Sequence, residues 1–286
     1  MTGVAIVDKP RDWTSHDVVA KLRRALGEKR IGHGGTLDPM ATGVLPVFVG
    51  RATRAASFLE SADKEYLAGV RFGITTDTQD TTGQVLSQSG ICPSEAAVKA
   101  ALAGFLGKQE QLPPLYSAVK VEGRKLYQYA RAGREVARQP RQIEISALEP
   151  LGFTAEGEFR FRLTVSKGTY VRTVCHDLGQ RLGCGGAMSF LRRLRAGAFT
   201  IREASPLEAF LDGQGETLLR PLDSLFRAYP ALTLEGEAAR RVRCGNDFST
   251  TAQAGTYRLY DEAGVFLALA EAAEGRMKTI KSFFEV

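Results

Sequence analysis

Cysteine is scarce in this chain and histidine scarcer: four and three residues of 286. Cys92, Cys175, Cys184 and Cys244 are scattered without a C-x-x-C pair, and His16, His33 and His176 do not cluster with them. That spacing argues against a zinc site and a disulfide framework, and it fits free thiols in a reducing cytoplasm. No apolar run approaches the roughly 18 residues a membrane-spanning helix needs. Met1-Thr2-Gly3-Val4 has neither the basic start nor the apolar stretch of a signal peptide. Cofactor motifs are missing as well. There is no G-x-x-x-x-G-K-[ST], no H-E-x-x-H and no G-x-S-x-G, and Gly183-Cys184-Gly185-Gly186 stops short of G-x-G-x-x-G. Asp77 and Asp80 stand three apart, which misses the alternation of an EF-hand loop. ATP, dinucleotide and metal chemistry all lose ground, and no cofactor or metal is expected.

What is present is ordinary globular composition: 44% hydrophobic and 24% charged residues. Such a chain buries a full core without staples, and its length fits about two domains. The charge is uneven. The formal net charge is +6. Residues 120–143 hold seven basic groups (Lys120, Arg124, Lys125, Arg131, Arg134, Arg138, Arg141) against two acidic ones. Residues 160–202 hold nine against Asp177 alone, which leaves −7 on the rest of the chain. Two concentrated cationic stretches on an acidic background point to a polyanion, because clustered charge attracts phosphates and releases their counterions.

Periodicity gives a coarse map. Residues 4–7 read as a short buried strand. Thr14 with Asp17 reads as a capped helix start, with Val18, Val19, Leu22 and Leu26 as its apolar stripe and Gly27 as its end. Residues 31–43 are glycine-rich and irregular, then run into an apolar strand over 44–49. Tyr66–Gly73 reads as a strand and 75–83 as a polar loop. Pro93-Ser94 opens a helix with Val98, Leu102 and Leu106 on one face. Phe159, Phe161, Leu163 and Val165 alternate with Arg160, Arg162, Thr164 and Ser166, a half-buried strand with a basic outer side. A helix follows Lys167-Gly168-Thr169 and closes at Gly183. After about Ala228, short alternating stretches (256–260, 265–270, 279–286) read as a small β-rich module. The expectation is an α+β body on a mixed sheet with a small β tail.

The segment 33–43 stands out chemically. Pro39 pushes Asp38 out of the helical region, leaving a carboxylate in a rigid turn of small residues. Such an acid can serve as nucleophile or base if a cation keeps it ionised, although Asp before Pro is also a common turn pair. Arg172 falls in the first turn of its helix, where the dipole disfavours it, so it needs a carboxylate or a phosphate.

Together these segments resemble the TruB-type family of bacterial tRNA pseudouridine-55 synthases. The stretches that carry the resemblance are Asp8-Lys9-Pro10 with Thr14-Ser15-His16, and then His33-Gly34-Gly35-Thr36-Leu37-Asp38-Pro39-Met40-Ala41-Thr42-Gly43-Val44-Leu45. Lys64-Glu65-Tyr66, the run from Gly73 to Thr78 with Asp80 and Gly83, and the run from Pro113 to Lys120 follow in order. Ser166-Lys167-Gly168-Thr169-Tyr170-Val171-Arg172 and Leu191-Arg192-Arg193 complete the series. Residues 3–225 are covered well and the tail loosely. One departure is Gly34-Gly35-Thr36, where many members carry Thr-Gly-Thr or Thr-Gly-Ala.

The resemblance implies a fold, a reaction and roles. The fold is a pseudouridine synthase domain over 1–227 on a mainly antiparallel sheet, with an RNA-gripping insertion at about 114–143 and a PUA-like RNA-contacting module over 228–286. The reaction is isomerisation of a uridine (U55) in the T-loop of tRNA: the base is flipped out, the N1–C1′ bond breaks, and C5 joins C1′. Asp38 starts it, at C1′ or by taking a sugar proton. Arg172 pairs with that acid, and Tyr66 stacks on the target base and accepts a proton. Tyr170 and Leu191 line the base, Lys9 lies near the acid, and His33 fills the place the base leaves. Lys120, Arg124, Arg131, Arg141, Arg192 and Arg193 become candidates for the tRNA backbone, with 160–202 lining a phosphate track. The expected partner is the T-arm stem-loop, met by a cytoplasmic monomer without a membrane or a guide RNA. A tRNA-folding chaperone and a guide-RNA-dependent synthase are the competing readings, and the long insertion favours the stand-alone enzyme.

Overall fold

Alternation decides the central strands. Along Phe159–Val165, every second side chain (Phe159, Phe161, Leu163, Val165) is buried, while Arg160, Arg162 and Thr164 take the other face. The computed structural model, which describes residues 1–134 and 136–284, sets this strand inside a large mixed sheet. In spatial order the sheet runs Ser205–Pro206, Gly3–Lys9, Thr42–Val49, Gly186–Ala196, Lys64–Phe72, Phe159–Val165, Arg141–Phe153 and Gly107–Gln111. Its pairings are antiparallel except for Gly3–Lys9 beside Ser205–Pro206, and Gly186–Ala196 where it meets Thr42–Val49. Within the stretch expected to be irregular, Ile31–His33 pairs with Val47–Val49 and adds a further strand. The loop expected over 75–83 is the turn of a hairpin between Ile74–Thr76 and Val85–Gln88.

Local signals start and stop the helices. Thr14 accepts from the Asp17 backbone at 3.0 Å and Asp17 accepts from the Thr14 backbone at 3.0 Å, a reciprocal cap for Ser15–Ala25. Ser94 caps Glu95–Ala103, which buries Val98 and Leu102. Leu106 falls outside that helix and is exposed, because the helix closes at Gly104 before its third turn returns to the core. Val171–Arg181 buries Val171, Val174, Cys175 and Leu178. No side chain caps its start, but Gln111 holds the Tyr170 backbone from both sides, accepting from its N–H at 2.8 Å and donating to its carbonyl at 3.1 Å.

The segment 114–143 leaves the sheet at its last two strands, where Gln111 pairs with Arg141. It carries a short hairpin of Lys120–Val121 and Arg124–Lys125 and the helix Leu126–Arg131. Glu135 lies outside the described residues, as do Glu285 and Val286; of the expected strand 279–286, residues 279–282 belong to the strand Arg276–Ser282 and Phe283 and Phe284 follow it.

The tail builds a second sheet, in the order Ala231–Leu234, Gly255–Asp261, Phe266–Ala273, Arg276–Ser282, Phe248–Ser249. The helix Gly236–Arg243, which the alternation did not reveal, covers it through Val242. This tail is welded to the body rather than tethered. Leu269 and Phe283 share one apolar cluster with Val4, Ile6 and Phe48, and Phe226 packs against Phe58, Phe266 and Phe283. Tyr260 donates to Asp223 at 2.6 Å across the same seam.

One glycine is fixed by contact. Gly43 has φ +100°, and a Cβ there would lie 2.2 Å from the Arg193 carbonyl oxygen of the neighbouring strand. Gly43→Ala is therefore expected to cost at least about 2 kcal/mol in thermal unfolding, whereas Gly27→Ala, at positive φ but in open space, costs about 1. Equal losses at both positions would show that the strand contact at Gly43 is not tight.

Candidate active site

The loop between His33 and Gly43 has little regular structure, so its shape must come from elsewhere. Three side chains supply it. Arg193 donates to the carbonyls of Val44 at 2.7 Å, Gly35 at 3.1 Å and Thr36 at 3.5 Å. Lys9 donates to the carbonyls of Pro10 at 2.8 Å, Trp13 at 2.6 Å and Pro39 at 3.1 Å. The Ser15 hydroxyl accepts from the Leu37 backbone at 2.9 Å and donates to its carbonyl at 3.1 Å. Leu37 and Met40 sink into the core on either side of Asp38. The acid is thus presented by a loop that cannot relax without breaking charge-assisted bonds.

Asp38 faces Arg172. The guanidinium Nε lies 3.0 Å from one carboxylate oxygen and Nη2 lies 3.4 Å from the other. Arg172 in turn is held by the carbonyls of Thr78 at 3.2 Å and Tyr116 at 3.0 Å, and a second carboxylate, Asp80, lies 3.8 Å from Nη1. Asp80 is fixed by the Thr78 hydroxyl at 2.8 Å and the Thr82 backbone at 3.0 Å. Its loop is tied to Gly186–Ala196 through Met188. The arginine side chain is 7% exposed and that of Asp38 is 35% exposed. The cation is locked inside while the acid keeps an open side, the arrangement a reacting carboxylate needs. This explains the arginine at a helix start: two acids outweigh the dipole there.

Asp38 is pulled both ways. Burial pushes its carboxyl up, Arg172 pulls it down, Asp80 pushes it up and Lys9 pulls it down, and the balance lies above the usual carboxylate range. Lys9 is 0% exposed, and burial lowers it to about 8, opposed by Asp38. It still carries its charge at neutral pH.

The other expected residues divide. Tyr66 and Leu191 belong to the apolar cluster that holds Leu37 and Met40, and they sit on neighbouring strands. Tyr170 precedes Arg172 at the helix start and is half-buried. His33 stacks edge-on against His16 at 5.4 Å, and burial lowers it to about 4, so it is neutral at physiological pH. Lys120, Arg124, Arg131 and Arg141 are exposed on the insertion, without an ion pair among the described residues. Arg193 is different: at 1% exposure, with its guanidinium spent on the loop, it has nothing to offer a phosphate, and Lys9 likewise supports the loop from behind. Arg192 is half-buried and pairs with Asp8 at 2.6 Å.

The same correction reaches part of the stretch 160–202, although Lys167 and Arg202 are exposed without an ion pair among the described residues. Arg160 pairs with Glu158, Arg162 lies 3.8 Å from both Glu65 and Glu149, and Arg195 lies 3.5 Å from Glu65. The sequence shows that stretch as basic because its acidic partners come from other segments. Sequence reasoning missed Asp80, Thr78 and Gln111 as parts of the site. The hydroxyls two residues either side of Asp80 were the available signal, since Thr-x-Asp-x-Thr lets both neighbours bond one carboxylate.

Residues 23–171 match the model of the TruB family pseudouridylate synthase N-terminal domain, and residues 172–227 that of the tRNA pseudouridylate synthase B C-terminal domain. The chain belongs to the TruB family. Arg172 is the first residue of the second match, so the Asp38–Arg172 pair joins the two family segments. A TruB relative from Shouchella clausii, named tRNA pseudouridine synthase B, is 40% identical over 291 residues, covering 98% of this chain and 96% of its own. One of the same name from Opitutus terrae is 53% identical over 210 residues, covering 73% and 87%. Among solved structures, a chain of a Cbf5-Nop10-Gar1 complex superposes with a TM-score of 0.74 at 27% identity, covering 99% of this chain and 85% of that one.

A raised carboxyl makes a stability statement about this TruB member. The folded protein holds the Asp38 proton more tightly than the unfolded chain, so this group's contribution falls as pH rises from the ordinary carboxylate range through the raised value. Asp38→Asn is expected to melt at or above the wild type at pH 7, with the difference shrinking towards pH 4. A variant that melts lower at pH 7, with the gap widening as pH rises, would reverse the assigned direction.

Proposed function

We propose that this protein converts uridine 55 in the T-loop of tRNA to pseudouridine, acting alone on the T-arm. The observation that carries the reading is the half-open Asp38 carboxylate held 3.0 Å from a buried arginine. Isomerising a nucleoside breaks the N1–C1′ bond and makes a C5–C1′ bond, with the proton displaced from C5 returned to N1. Nothing is oxidised, and nothing is added overall. What the reaction requires is an ionised carboxylate at the sugar, a slot for a base and a grip on RNA. Asp38 supplies the first, at C1′ or at a sugar proton. Tyr66, Tyr170 and Leu191 form the slot, with the Tyr66 phenol as acceptor of the C5 proton. Arg172 opposes the rise that burial gives the acid and so favours its charged form.

The base must leave the stack, at a cost of a few kcal/mol, less in a loop than in a duplex. His33, neutral and edge-on to His16, is suited to fill the vacated place. The exposed cations of the insertion, Lys120, Arg124, Arg131 and Arg141, which have no ion pair among the described residues, take the phosphates, and the tail acts as a PUA-like contact further along the RNA. The names of the relatives supply the tRNA; the site supplies the chemistry. The insertion supports action without a guide, because it provides a grip within the chain. A role in tRNA folding is compatible with the same surfaces.

The deciding experiment incubates the purified monomeric protein with an isolated, unmodified T-arm stem-loop and maps pseudouridine at base resolution. Conversion at position 55 alone is expected, with Asp38→Asn binding the stem-loop but leaving it unmodified. Conversion only when a guide RNA is added, or turnover by Asp38→Asn, would overturn the reading. A second test removes the grip. Arg131→Ala and Arg124→Ala should each weaken binding and reduce the salt dependence of log Kd by about one unit of slope. An unchanged slope would place the phosphates elsewhere.

A further inference from the structure

The catalytic arginine is held by the base of the insertion. Of the partners of Arg172, the Tyr116 carbonyl is the one supplied by segment 114–143, accepting from Nη2 at 3.0 Å, and the same nitrogen bonds Asp38. The Tyr116 phenol donates to Asp77 at 3.3 Å, in the loop that also carries Thr78 and Asp80. Asp77 is pinned in turn by the Gln84 backbone at 2.7 Å. Tyr116 therefore contacts both sides of the guanidinium's surroundings, by its backbone and by its ring.

Elsewhere the insertion buries Leu126 and Tyr129 but borders an open cleft. A cleft of about 320 Å³ separates it from the hairpin around Thr75 and Leu86 and from His176. Beside Tyr116 the Ser117 hydroxyl is buried without a hydrogen-bond partner among the described residues, so this seat does not satisfy every polar group at the base of the insertion. The exposed cations Lys120, Arg124 and Arg131 lie a few residues further along the segment. A force applied there by RNA phosphates reaches Arg172 through Tyr116, and through Arg172 it reaches Asp38.

We propose that Tyr116 is a positioning residue that couples the seating of the insertion on RNA to the Asp38–Arg172 pair, so that the acid is set for reaction only when RNA is gripped. This rests on the reading of the protein as a tRNA-modifying synthase and adds a control to it. With the insertion seated, the Tyr116 carbonyl holds Nη2 against one carboxylate oxygen while Nε meets the other, which favours the ionised acid. With it displaced, Nη2 loses that anchor, and burial with the nearby Asp80 drives Asp38 towards its protonated form.

The test is Tyr116→Phe, which keeps the ring and the carbonyl and removes the phenol bond to Asp77. Single-turnover rates and stem-loop affinity are measured from pH 5 to 8, beside wild type and Arg131→Ala. For Tyr116→Phe the expected result is an unchanged Kd, a chemical step slowed about tenfold at pH 6, and an acid limb moved to higher pH, so that the loss narrows towards pH 8. Asp77→Asn, which retains an acceptor for the phenol, should stay near wild type, whereas Asp77→Ala should reproduce Tyr116→Phe. Arg131→Ala should raise Kd and leave the acid limb in place. A Tyr116→Phe enzyme with wild-type rate and acid limb, or one whose loss lies wholly in Kd or is equal at every pH, would overturn the coupling. If the wild type forms no pseudouridine in the stem-loop, the underlying reading fails instead, and the two failures are distinguished by that control.

Discussion

The structure turns on one ion pair between unequal partners. Arg172 is enclosed, and two carboxylates and two carbonyls compete for its donors; Asp38 is half-open and has one strong partner. A buried guanidinium cannot shed its charge, so the surrounding fold must keep it satisfied. That requirement accounts for much of the architecture near the site. The hairpin after Lys64–Phe72 brings Asp80 and Thr78, the insertion brings Tyr116, and the glycine-rich loop brings Asp38. Segments distant in sequence meet because a single planar cation binds all of them.

Buried cations recur as a building device. Arg193 and Lys9 hold the Asp38 loop by its carbonyls, and Lys64 closes the preceding helix by donating to the carbonyls of Leu59, Glu60 and Ala62. A loop of glycine, threonine and proline has few side chains of its own to pack, so charge-assisted bonds to its backbone stand in for packing. Burial lowers both Lys9 and Lys64 to about 8, the cost of placing ammonium groups behind an active site. The result is a rigid acid on a flexible sequence.

Much of this was legible in the residues. Period-two alternation located Phe159–Val165, and the Thr14–Asp17 pair located the first helix, because those signals are local. The Asp-Pro turn marked an acid in need of a cation and the helix-start arginine a cation in need of an anion, and the family resemblance paired them. What the sequence hid was tertiary. A basic run says nothing about where its acids lie, and Arg160, Arg162, Arg192 and Arg195 are answered by Glu158, Glu65, Glu149 and Asp8. Arg193 looked like a surface cation and is a core one. Asp80 looked like a loop acid, since nothing local reveals that its free oxygen turns towards Arg172. The helix Gly236–Arg243 carries Arg240, Arg241 and Arg243 around a single buried valine, too weak an apolar stripe to separate from a turn.

The insertion carries exposed cations without an ion pair among the described residues, and its base meets Arg172 through the Tyr116 carbonyl. The most direct test of the central claim is a carbon-13 NMR titration of the Asp38 carboxyl in the wild type and in Arg172→Lys, which keeps the charge but cannot reach the same set of acceptors. The account predicts a wild-type titration above the ordinary carboxylate range that moves higher still in Arg172→Lys. An Asp38 that titrates at the ordinary value in both proteins would show that the arginine does not govern the acid.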